Sequence, residues 1–206
     1  MIHISDGISG LRGSVIAHSM FSERKRVFKD ILKWDVRVED GIYEIDQFDT
    51  DAAIYLVISD RYLRHLGSVR LLPSIHDHIL GAIFPHLCAG PVPTGDGIVE
   101  ITRFCLSPSL RASERLLVRK QLVTALAEYA GLVGIKTYTG VAELAWFEQI
   151  AKFGWKCSAL APLSTDDRKA LVGLRIDISA QTLTGLASCG MYASISLPDI
   201  SGRIAA

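Results

Sequence analysis

At 206 residues, 49% of them apolar, the chain has the size of one domain and can bury a substantial core. Its charges balance at 22 basic against 22 acidic, so no basic surplus points to nucleic acid. No apolar run reaches the roughly 18 residues that a membrane span requires. Met1 to Asp6 lacks the basic and apolar regions of a signal peptide. Cys88, Cys105, Cys157 and Cys189 show no metal spacing, and His76 and His78 flank Asp77 with no third ligand nearby. A cytoplasmic protein with reduced thiols and no metal is the expectation.

From Ala17 to Leu32 the residues Met20, Val27, Phe28, Ile31 and Leu32 share one stripe, which predicts a helix closed by Trp34. Arg24 lies on that stripe, four after Met20 and four before Phe28, as a snorkelling side chain or as an inward charge aimed at a buried carboxylate. Gly41 to Asp49 has no clear period. It interleaves Glu44, Asp46 and Asp49 with Ile45 and Phe48, so part of it is expected to pack inward. Ala52 to Ser59 reads as a buried strand, and Gly67 to Leu72, ended by Pro73, as its hairpin partner. In the second strand Arg70 points away from Val69 and Leu71. Ser74 to Leu87, with Phe84-Pro85, is irregular, and Ala89 to Gly97 is a loop rich in Gly and Pro.

Ile98 to Leu106 reads as a central strand, buried on both faces and stopped by Pro108. It nonetheless carries Glu100 and Arg103, charges that cost several kcal/mol each if buried without partners. Residues three apart on a regular strand face opposite ways, and a bulge between them would bring both to one face. Such a bulge also leaves a backbone N–H unpaired, a donor suited to a thioester carbonyl. The alternative is two unrelated ion pairs on opposite faces.

Ser109 to Ala130 is a predicted helix stopping at Gly131, followed by a strand at Gly134 to Val141 and a helix at Glu143 to Phe153 ending at Gly154. Leu171 to Ile178 is a further strand, and one short helix and a tail of small residues follow Ser179. The order predicts one α/β domain: a core at about 17–178, an extension at 179–206, and a mixed twisted sheet with helices on both faces. A strand running straight into a long helix, as at Leu106 to Ser109, is the arrangement of N-acetyltransferase (GNAT-like) folds.

Arg24, Phe28 and Trp34, then Glu44-Ile45-Asp46-Gln47-Phe48-Asp49, Arg70 before Leu71-Leu72-Pro73, Phe84-Pro85, and Glu100 with Arg103-Phe104 stand in one order. This ordered set resembles the acyl-homoserine-lactone (autoinducer) synthases of quorum sensing, and the likeness runs from Arg24 to Trp155. The resemblance implies a GNAT-like fold and a two-step acyltransferase reaction. The amine of S-adenosylmethionine attacks the thioester of an acyl carrier protein or acyl-CoA, and the homoserine carboxylate then displaces methylthioadenosine. S-adenosylmethionine is thus a substrate, with no separate cofactor. Glu44, Glu100 and Arg103 are implied as catalytic, with Glu44, Glu100 or a water as base. Arg24, Phe28, Trp34, Asp46, Asp49, Arg70, Phe84 and Phe104 are implied as the S-adenosylmethionine site. With four acids against three arginines, one acid is left to meet the substrate's positive charge. An ordinary GNAT enzyme acting on another small amine is the alternative, but the loop Pro108 to Ser113 lacks the glycines of a pyrophosphate site.

The acyl group is expected against Val141, Ala142, Leu144, Trp146 and Phe147. Many relatives making 3-oxo products carry a Thr near this turn, and Ala142 has no hydroxyl. The expectation is a preference for donors without the 3-oxo group, since an unpartnered buried oxygen costs about 1–3 kcal/mol. Arg111, Arg115, Arg119, Lys120, Lys152 and Lys156 are candidates for docking an acidic carrier or a CoA phosphate, or else form solvated helix faces.

Overall fold

The structure, a computed structural model, describes residues 1–11, 13–163 and 170–199. In chain order its elements are β1 (Ile2–Asp6), α1 (Val15–Arg24), β2 (Val38–Glu39), β3 (Tyr43–Glu44), β4 (Ile54–Ser59), β5 (His65–Pro73) and α2 (Ile79–Ala82). Then follow β6 (Ile98–Leu106), α3 (Ala112–Val133), β7 (Thr137–Glu143), α4 (Leu144–Ile150), β8 (Lys156–Ala159), β9 (Leu171–Asp177) and α5 (Thr182–Ser188). Seven strands form one mixed sheet in the order β1-β4-β5-β6-β7-β9-β8, with β2 and β3 a separate pair. The expected tail after residue 199 lies outside the described residues.

The chain forms two compact units, with boundaries inside β5, β6 and α3. The first holds Met1–Arg70, Arg103–Ala125 and the segment from Ser194. Here β1 pairs antiparallel with β4, Ile4 opposite Leu56. Ser14 caps α1 by accepting the Ala17 N–H at 3.2 Å, and α1 buries Met20, Phe21 and Arg24. The predicted helix does not continue regularly to Leu32, because Lys25–Ile31 winds as a π-helix. Its i→i+5 bonds, such as Leu32 N–H to Val27 O at 2.9 Å, widen the turn and break the three-to-four repeat. Phe28 therefore stays buried, whereas Ile31 and Leu32 are turned out to solvent. At Gly67 α3 rests directly on β5, since a Cβ there would stand 2.7 Å from Val118 Cγ1.

The second unit holds Leu71–Thr102 and Leu126–Ala193. β6 and β7 run parallel, with Glu100 beside Thr139, while β9 is antiparallel to both β7 and β8. Tyr138 donates its hydroxyl to Leu126 O of α3 at 3.0 Å. The Leu80 N–H of α2 donates to Glu100 Oε1 at 3.0 Å. Because register partners share a face and neighbours alternate, α3 and α2 cover opposite faces of this unit's strands. Gly131 does not end α3. The helix runs to Val133, and Gly134, at φ +79°, takes the left-handed position after it.

Candidate active site

Three arginines and three carboxylates of the first unit close into a ring. Arg24 donates Nε to Glu44 Oε2 at 2.6 Å, and both terminal nitrogens to the two oxygens of Asp49 at 2.9 Å. Arg70 grips Asp46 through two bonds of 2.7 and 3.0 Å, and its Nη1 lies 2.9 Å from Asp49 Oδ2. Arg103 donates Nε to Glu44 Oε1 at 3.0 Å and Nη2 to Asp46 Oδ2 at 2.6 Å. Each acid therefore joins two arginines, and each arginine two acids. The inward alternative for Arg24 is the one realised.

Sequence and backbone together build this ring. The segment from Glu44 to Asp49 is tied by its own acids, since Asp46 accepts the Phe48 N–H at 2.8 Å and Asp49 accepts the Asp46 N–H at 2.9 Å. Arg103 reaches the ring from a strand residue at φ +51°, a left-handed backbone uncommon outside glycine. An aromatic ring supports each guanidinium: Phe21 at 5.0 Å from Arg24, Phe48 at 6.0 Å from Arg70 and Phe28 at 5.4 Å from Arg103. Trp34, partly exposed, stacks on Phe28 at 5.0 Å. Phe48 packs inward as expected of its segment, whereas Phe21 and Tyr55 were not among the residues singled out from sequence. Tyr55, which donates its hydroxyl to Asp49 Oδ1 at 2.9 Å, sits in an apolar strand where a tyrosine reads as core.

Charge state follows from this geometry. Burial works against the Arg24 cation, but Asp49 and Glu44 outweigh it and hold the guanidinium well above its ordinary value. Burial likewise favours neutral Asp49 and Asp46. Arg24 and Arg70 overcome it at Asp49, Arg70 and Arg103 at Asp46, and both carboxyls stay below their usual range. Burial, then Asp49, pushes the Tyr55 hydroxyl far up, so it remains a donor.

The other expected site residues lie elsewhere. Glu100 belongs to the second unit, where it accepts the Leu80 N–H. Phe84 is also in the second unit, edge-on to His86 at 6.1 Å, and Phe104 follows Arg103 half-buried on β6. Leu144 and Phe147 are buried on α4, and Trp146 packs edge-on to Phe153 at 5.8 Å. Val141 and Ala142 face opposite ways on β7: Val141 shares the α2 face with Thr139 and Glu100, and Ala142 the α3 face with Tyr138. The missing hydroxyl of Ala142 therefore has no bearing on the face under α2. The hydroxyl on that face is Thr139's, buried and without a hydrogen-bond partner among the described residues. Among those residues, no group of three or more His, Cys, Asp or Glu is placed to hold a metal.

The chain matches the family model described as autoinducer synthase over residues 10–184. It is 32% identical to an acyl-homoserine-lactone synthase of Rhizobium etli over 158 residues, 75% of this chain and 74% of that protein. To one of Acinetobacter nosocomialis it is 29% identical over 164 residues, 76% of this chain and 89% of that protein. TofI, solved in a ternary complex with an inhibitor and MTA, aligns with a TM-score of 0.73 at 27% identity, covering 91% of this chain and 96% of that one. BjaI, a CoA-dependent acyl-homoserine lactone synthase solved with MTA, shares the fold at a TM-score of 0.83 and 24% identity, over 100% and 98% of the two chains.

Proposed function

Because the chain belongs to the autoinducer synthases and is an acyl-homoserine-lactone synthase, an acyltransferase, we propose that its amine substrate is S-adenosylmethionine and that the ring binds it. The observation that carries this is the unequal burial of the ring's links. Arg24, Glu44, Asp49 and Arg70 are 0–1% exposed, whereas Arg103 is 11% and Asp46 9% exposed. A zwitterionic amino acid can replace only the Asp46–Arg103 link, its carboxylate on Arg103 and its ammonium beside Asp46. Trp34, partly exposed and stacked on Phe28, offers its aromatic face to the sulfonium.

In the first step the neutral amine attacks the thioester carbonyl, the C–N bond forms, and the C–S bond breaks to release the carrier thiol. The amine's proton leaves to water, since Glu44 has both oxygens committed to Arg24 and Arg103. In the second step the carboxylate oxygen attacks the carbon bearing the sulfonium, and neutral methylthioadenosine departs as the lactone closes. This chemistry needs no cofactor, and reduced thiols suit a cytoplasmic setting. The donor is a thioester of an acyl carrier protein or of CoA, its acyl chain lying against Val141 in the second unit.

The test supplies labelled S-adenosylmethionine with carrier-bound and CoA-bound acyl donors and follows methylthioadenosine and acyl-homoserine lactone. Equal release of the two is expected. Arg103→Ala and Asp46→Asn should each raise the S-adenosylmethionine KM about ten-fold or more. An unchanged KM in both variants would remove the ring from substrate binding.

A further inference from the structure

Among the described residues other than glycine, Lys33 is one of four with a left-handed backbone, at φ +59°, and the ring member Arg103 is another. A helix commonly ends on such a residue, which turns the following N–H back to a free carbonyl, and glycine or asparagine ordinarily fills the position. Here it holds a lysine. The side chain is exposed and stands outside the neighbouring ion pairs Lys25–Asp30 and Lys29–Asp35. A backbone in so sparsely populated a region persists only where its surroundings impose it.

Those surroundings are the wide turns of the π-helix Lys25–Ile31. The Val27 carbonyl accepts the Leu32 N–H at 2.9 Å, and the Phe28 carbonyl accepts the Trp34 N–H, six residues on, also at 2.9 Å. The left-handed step at Lys33 stands between the two donors and turns the chain back for the second bond. Trp34 thereby meets one residue twice, its N–H on the Phe28 carbonyl and its indole on the Phe28 ring, 5.0 Å away and 18° from parallel. Phe28 is 3% exposed and lies 5.4 Å from the Arg103 guanidinium, whereas Trp34 is 40% exposed. Trp34 is therefore the outer member of a stack that leads from solvent to the more open link of the ring.

We propose that Lys33 is a positioning residue for S-adenosylmethionine, acting through its left-handed backbone and not its ammonium to hold Trp34 over Phe28 as the outer wall of the site. The substrate half rests on the reading that the ring binds S-adenosylmethionine. Near-ultraviolet circular dichroism reads the stack without any substrate, and Trp34→Leu gives its share of the signal against Trp146 and Trp155 of the second unit. Lys33→Asn and Lys33→Gly remove the charge and keep the left-handed backbone accessible. Both should retain the stack signal and an S-adenosylmethionine KM within about two-fold of the parent. In Lys33→Val the β-branched side chain disfavours that backbone. It should lose most of the stack signal and raise this KM about ten-fold, with the donor KM moving about two-fold at most. A general loss of stability would not separate the two substrates in this way. A KM raised as far in Lys33→Asn and Lys33→Gly as in Lys33→Val would assign the effect to the ammonium and overturn the proposal. A stack signal retained in Lys33→Val would overturn the positioning role and leave the reading of the ring standing. A stack lost in Lys33→Val with the S-adenosylmethionine KM unmoved would instead remove Trp34 from the substrate site, and with it the purpose proposed for Lys33.

Discussion

His65 is 3% exposed, with Nε2 2.8 Å from Ser68 Oγ and no hydrogen-bond partner for Nδ1 among the described residues. Burial, and then the nearby Arg24 cation, pushes its pKa down to about 3. In the unfolded chain a histidine titrates at about 6.5. Protonation therefore favours unfolding. Stability is fully present above pH 6.5 and is lost as pH falls from 6.5 toward 3, by about 2 kcal/mol at pH 5. Denaturant unfolding at pH 6.5 and pH 5 should show that loss, and His65→Gln should abolish most of it. Equal unfolding free energies at the two values in the parent would contradict the account. The ring acids act in a separate window. Asp46 and Asp49 are held below their usual range, so their contribution persists down to about pH 4 and falls only below it. The ring was legible in the sequence because each member is a charge in an apolar setting, Arg24 on a helix stripe above all. His65 was not, since a histidine beside a strand does not announce its burial. The partner of Glu100 was equally hidden, because every residue but proline carries a backbone N–H.

The long helix, the hairpin strands and the central strand follow from period and composition, with boundaries moved by a few residues. The π-helix did not, because i→i+5 bonding leaves no repeat in a seven-residue segment. β8 and α2, four residues each, are too short to show alternation or a stripe. Two glycines mark another contact that sequence conceals. Gly154, at φ +101°, and Gly185 of α5 touch backbone to backbone, and a Cβ on either would collide with the other's carbonyl. Gly131, inside α3, faces open space. Gly185→Ala should therefore destabilise by about 1–3 kcal/mol and speed amide exchange in α5. Gly131→Ala should stabilise by about 0.5–1 kcal/mol. Melting curves of the two variants should shift in opposite directions, and a shared direction would refute the contact's role.

At the scale of the whole molecule the net charge is zero and the isoelectric point is near 7, so no overall field draws a charged donor in. Attraction has to come from local clusters. The start of α3 carries Arg111, Arg115, Arg119 and Lys120 around the exposed Leu116 and Leu117, with Glu114 occupied in accepting the Arg111 N–H at 2.9 Å. Arg115 also holds Ser107 O at 3.2 Å, and Lys156 pairs with Asp177 at 3.0 Å. Arg111 and Lys152 are thus the cleaner positions to test. Reversing each to Glu should raise the donor KM about five-fold at roughly 10 mM salt and have little effect near 1 M. A KM that does not respond at low salt would leave these cations as a solvated surface.

A closed ring of alternating charge also restricts how this sequence can drift. Replacing any one member by a neutral residue takes one of two partners from each of its two neighbours and leaves the ring with a net charge, at up to about 3–5 kcal/mol against a total stability of about 5–15 kcal/mol for a domain. A chain of three separate pairs could lose its members two by two through neutral intermediates. Here every acid is shared, so deleting one pair still leaves each neighbour with half its contacts, and no single substitution leads downhill out of the arrangement. The six positions are therefore locked to one another, and mutation can explore the acyl face and the basic surfaces while the ring stays fixed.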